Sequence, residues 1–172
     1  MRAVLARRTI AMAVVSLTSA ALLVACSTST PEEPVGLPDD AVVNYAFLDS
    51  SVPPQYHRSI TLTVTRDDAH IVIDSYGDVL ADEHAPTPAA VWQTLGSTLP
   101  SVQGLTVIDA GQGCTGGTGI DLTVVAGAET LVALSPQFCA GSNDALEAPI
   151  RAWIAPARDL FPATDVLAPE GE

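Results

Sequence analysis

Residues 60–74 constrain the fold of this chain more than any other stretch. Ile60-Thr61-Leu62-Thr63-Val64 alternates apolar and polar side chains, Arg66-Asp67-Asp68 is a polar break, and His70-Ile71-Val72-Ile73-Asp74 returns as a second strand-like run. Successive side chains of a strand point to opposite faces, so a period of two marks a half-buried strand, and two such runs about a polar turn predict a hairpin. The pattern recurs in residues 120–125, the turn Ala126-Gly127-Ala128 and residues 130–134. Before the first hairpin, Val43-Asn44-Tyr45-Ala46-Phe47 places Val43, Tyr45 and Phe47 on one face of another strand; before the second, residues 105–108 also read as a strand.

Each hairpin precedes a helical pattern. Thr87-Pro88 predicts an N-cap followed by proline at the first helical position, and Val91, Trp92, Leu95 and Leu99 then form one apolar stripe ended by Pro100. The second stripe holds Leu146, Ile150, Trp153, Ile154 and Ala157, with Leu160-Phe161 beyond. Pro149 and Pro156 fall inside it and predict a break or kink, because an interior proline removes a hydrogen bond and crowds the preceding turn. Shifting the chain by 60 residues lays Ile60, Leu62, Thr63, Val64, Val72 and Ser75 on Ile120, Leu122, Thr123, Val124, Val132 and Ser135. The expectation is an α+β fold: an antiparallel sheet with two helices on one face, in a possible βββα-βββα pseudo-repeat over residues 42–162, with both indoles buried.

The N-terminus has a different character. Arg2, Arg7 and Arg8 precede an apolar stretch over residues 9–24 that ends in Leu23-Val24-Ala25-Cys26. A basic segment, a short apolar core and small residues at a cleavage point describe an export signal too short to span a bilayer well. The last four residues resemble the lipobox of bacterial prolipoproteins. That resemblance covers residues 1–26 and implies that residues 1–25 are a signal peptide, that the Cys26 thiol carries the lipid, and that Cys26 is the mature N-terminus. It implies a chain held at the extracytoplasmic face of the cell membrane. Residues 27–41, with three prolines and four acids, read as an extended linker. Residues 163–172 read as a frayed acidic tail.

The chain has 7 basic and 20 acidic residues, a formal charge of −13, and every basic residue is arginine. Removing the three signal arginines leaves four basic groups against the same 20 acids, formally −16. Such a surface opposes nucleic-acid binding, which depends on neutralising phosphate. Beyond the anchor, Cys114 and Cys139 are the remaining cysteines, and an exported chain with one such pair predicts one disulfide.

Candidate sites are sparse. Gly111-Gln112-Gly113-Cys114-Thr115-Gly116-Gly117-Thr118-Gly119 could cradle an anion, but it lacks the Lys-Ser/Thr ending of a phosphate loop and leads towards a strand. A loop pinned by a disulfide accounts for the same glycines. Asp74, Asp78, Asp82 and Glu83 offer oxygens to calcium but not at EF-hand spacing, and fit a solvated strand-to-helix connection. His57, His70 and His84 could each serve as base or ligand, and Ser59 with Asp74 could complete a triad, yet nothing in the sequence brings them together. No catalytic residue, metal ligand or cofactor is assigned on this basis. Tyr56, His57 and Arg58, following Pro53-Pro54, suit an exposed contact with a protein partner in the envelope. The expected function is a lipid-anchored binding module; a small envelope hydrolase or metal-dependent enzyme, and a carrier of apolar ligands, are the alternatives.

Overall fold

The sheet is built outward from a central strand, β1 (Ala41–Leu48). The computed structural model describes residues 36–109, 116–139 and 141–171. After a 3-10 turn at Pro54–Tyr56 come β2 (Ser59–Val64), β3 (Asp68–Ser75) and β4 (Asp78–Pro86), then helices α1 (Ala89–Thr98) and α2 (Pro100–Gln103). The second half holds β5 (Thr118–Ala126), β6 (Glu129–Leu134), β7 (Gln137–Phe138), α3 (Asp144–Arg158) and α4 (Thr164–Leu167). The fold is α+β. The strands form one sheet in the order β4-β3-β2-β1-β5-β6, with β7 beside β5, and every pairing is antiparallel.

The 60-residue similarity has a structural meaning here. Phe47 lies opposite both Ile60 and Ile120, Tyr45 opposite Leu62 and Leu122, and Val43 opposite Val64 and Val124. β2 and β5 therefore flank β1 in equivalent register and send the same apolar set to the core. The equivalence stops there. Val72 pairs with Thr61, whereas Val132 pairs with Val124, and four strands precede α1 where three were expected.

One face of the sheet carries the core. Val43, Tyr45, Leu62, Val64, Ile71, Ile73, Ile120, Leu122 and Val124 are buried in one cluster with Trp92, Leu95, Ile150, Trp153 and Ile154 of the helices. Burial raises the Tyr45 phenol above its ordinary pKa, opposed by the nearby Arg151 charge. Helix α1 joins α3 through a specific hydrogen bond. Pro100 has no N–H to offer Gly96, so the Leu99 N–H turns to the Gly96 carbonyl (3.2 Å) and leaves that of Leu95 without its helical donor. The Trp153 indole N–H supplies the replacement at 3.1 Å.

Several expectations are corrected. Residues 105–108 form no strand among the described residues; instead, Asn143, almost fully buried, clamps the Ile108 backbone by donating to its carbonyl and accepting its N–H at 3.1 and 3.0 Å. Asp74 to Glu83 is not a loop before a helix but the end of β3, the turn and the first part of β4. Helix α3 runs through Pro149 and Pro156 without a break. Pro88, not Thr87, flanks the start of α1, and no side chain caps it. Leu37 is buried, and residues 36–37 lie so close to Gly96 that any Cβ there would collide with their backbone, so residues 36–41 belong to the domain and not to the linker. At the other end, α4 forms, Ala168 is buried and the Gly171 N–H reaches the Gln55 carbonyl at 3.0 Å, so the acidic tail is docked.

Candidate functional site

With the helices on one side, the opposite face of the sheet has no helical layer over it among the described residues. Asn44, Thr61 and Ala133 are exposed there, and Val42, Thr63, Val72 and Thr123 are half-buried. One row runs straight across five strands: Ala133, Thr123, Asn44, Thr63 and His70, continued by His84 on β4. Thr63 donates to Asn44 Oδ1 at 3.2 Å within it.

The β3–β4 hairpin fixes the end of this row. Ser75 and Asp78 pair around Tyr76 and Gly77, whose φ angles of +54° and +93° suit a two-residue turn of the primed type. A tyrosine at positive φ is strained. It is held by stacking on His57, with ring centres 3.9 Å apart, and by donating its hydroxyl to the Val52 carbonyl at 2.6 Å. A bulge then places Leu80 between the Asp74–Val79 and Ile73–Ala81 pairs, and the regular register resumes with Val72 opposite Asp82 and His70 opposite His84.

The result is a cluster. The imidazoles of His70 and His84 stack at 4.0 Å with only 3° between their planes. His70 Nε2 lies 2.8 Å from Asp82 Oδ1, and His84 Nδ1 lies 2.9 Å from Asp68 Oδ2. All four side chains are at least one-third exposed. Strand alternation sends Glu83 to the other face and Asp74 accepts the Gly77 N–H at 2.8 Å, so the four acids suggested for calcium are parted.

His57 and Ser59 do meet, but in the wrong sense for a nucleophile and its base. The Tyr76 N–H donates to His57 Nδ1 at 3.3 Å, which leaves the ring proton on Nε2, the atom 3.5 Å from Ser59 Oγ. An imidazole presenting N–H to the hydroxyl cannot take its proton. Ser59 Oγ also accepts the Asp49 N–H at 3.1 Å. Of the segment expected to be exposed, only Tyr56 is; His57 and Arg58 are buried, and Arg58 donates to the carbonyls of His57, Ala168 and Pro169.

The other arginines of the domain are engaged as well. Arg66 pairs with Asp39 at 3.2 Å, Arg151 pairs with Glu147 at 2.8 Å and lies over the Phe47 ring, and Arg158 binds the carbonyls of Phe161 and Pro162. Residues 110–115, with Cys114 and most of the glycine-rich loop, lie outside the described residues, as do residues 1–35 with Cys26 and the segment expected to be a signal. No protein-family model matches the chain, and no curated protein matches it.

Proposed function

We propose that this protein is a lipid-anchored binding module of the extracytoplasmic membrane face, non-enzymatic, with the open face of its sheet as the binding surface. The observation that supports it most is the layering among the described residues: the helix stripes are spent on one side, while a mostly polar row across six strands stays at least partly exposed on the other. The space beneath the sheet is filled by Trp92, Leu95, Ile150, Trp153 and Ile154, which weighs against an apolar carrier. The tautomer of His57 weighs against a serine hydrolase.

Two parts are tested separately. Cys26→Ala should abolish incorporation of radiolabelled palmitate and release the protein from the membrane; label still entering the variant refutes the anchor. A photocrosslinker at Thr61 in intact cells should capture a discrete species that the same group at Ser101, exposed on α2 on the helical side, does not. Equal capture at both positions removes the open face from consideration.

A Cys114–Cys139 bridge belongs to the same reading. Thr118 pairs with Phe138, so Cys139 leaves the sheet beside the chain that enters β5, only a few residues after Cys114. Closing this loop is worth about 3 kcal/mol in the chain-entropy picture. Thiol counting on unfolded, unreduced protein from the envelope should find neither thiol, and two free thiols per chain would exclude the bridge.

A further inference from the structure

We propose that His70, Asp82 and His84 form a binding site for a divalent late transition-metal ion of the zinc class. The inference deepens the reading above, because the ion would sit on the same open face. One ligand atom from each of the three residues lies within 4.8 Å of the others. The 2.8 Å between His70 Nε2 and Asp82 Oδ1 is somewhat shorter than the roughly 3.3 Å that separates two ligands on a tetrahedral ion with bonds of about 2.0 Å. A small outward shift, with the ring proton of His70 carried on Nδ1 so that Nε2 presents its lone pair, turns that hydrogen bond into two adjacent coordination positions.

His84 is already set up as the third ligand. Its Nδ1 donates to Asp68 Oδ2 at 2.9 Å, which directs the lone pair to Nε2. A carboxylate that orients a ligating imidazole through its other nitrogen is the usual support of such sites. The two rings are parallel and their lone pairs do not yet converge, so binding needs rotation about the Cβ–Cγ bonds. Those torsions have broad wells, and both rings are partly exposed.

The donor set selects the ion. Two imidazoles and one carboxylate suit zinc, nickel or copper, whereas calcium and magnesium take oxygen ligands. The ligands stand on two hydrogen-bonded strands whose register is fixed by the turn and the bulge, so the site is carried on rigid elements. Three protein ligands leave a further position open to water or to a donor from a partner.

The test is titration of zinc chloride into the purified full-length chain at about pH 7.5, where unperturbed histidine is neutral, without chelator. Calorimetry is paired with NMR of the histidine rings. One ion should bind per chain, moving the His70 and His84 resonances and leaving those of His57 in place. His84→Ala and Asp82→Asn should each weaken binding by roughly tenfold or more, and Asp68→Asn by about tenfold. These side chains are exposed, and an unchanged circular-dichroism melt confirms that each variant is folded. Absence of heat and of ring shifts at millimolar zinc overturns the site; so does unaltered affinity in His84→Ala, which would put the ion elsewhere, as at thiols. Either result, with selective crosslinking at Thr61 intact, removes the metal and not the binding face.

Discussion

Replacing Trp153 by alanine is expected to cost the domain about 3–5 kcal/mol, enough to unfold a marginally stable protein at moderate temperature. Trp153 is buried beneath the sheet, and its indole also closes the end of α1 by donating to the Leu95 carbonyl at 3.1 Å. Trp92 is buried to the same degree, but its indole nitrogen has no partner among the described residues. Alanine at either position leaves a large cavity, so the two losses should be similar. Phenylalanine separates them. Trp153→Phe strands a buried carbonyl and should cost about 1–3 kcal/mol beyond the lost area. Trp92→Phe removes an unsatisfied donor and should be milder. Denaturant unfolding of the four variants decides the matter. Alanine variants shifted by less than about 1 kcal/mol, as for surface positions, would mean that the helices do not pack as described.

Arg58→Ala should release the C-terminal segment and lower stability by about 1.5–3 kcal/mol, the usual range for hydrogen bonds made by a charged group. The guanidinium, nearly buried, gathers carbonyls from two distant stretches, His57 on one side and Ala168 and Pro169 on the other. Without it, the 3.0 Å bond from the Gly171 N–H to Gln55 loses its neighbour and should open. Hydrogen exchange at Gly171 should accelerate in Arg58→Ala. It should be only partly restored in Arg58→Lys, since an ammonium cannot fork between two carbonyls. Unchanged protection at Gly171 would show that the tail is docked by other contacts.

What could be read from the sequence divides along physical lines. β1, both hairpins and both helical stripes were legible because each buries one face and leaves the other wet, and that contrast is what periodicity records. β4 was not. It lies at the sheet edge, is largely exposed on both faces, and is interrupted by the bulge at Leu80, so Asp78 to Pro86 shows no clean alternation. Missing β4 hid the histidine cluster, since His70 and His84 become neighbours only through its register. Residues 105–108 have the composition of a strand but are held by the Asn143 side chain, which no pattern signals. The docked ends escaped notice for a related reason: acidic and proline-rich composition describes side chains, whereas Arg58 holds the tail by its backbone carbonyls.

The exposed border of the sheet bears on self-association. Among the described residues β4 pairs on one side only, and its nine-residue edge would in another protein invite a second copy to continue the sheet. Here that border bears Asp78, Asp82 and Glu83, and the extra residue at Leu80 breaks its straight line. Two such borders meeting would bring carboxylates together on molecules that already repel through their net negative charge. Crowded copies are thereby kept from stacking edge to edge into continuous sheets, and the protection weakens only when those carboxylates are neutralised.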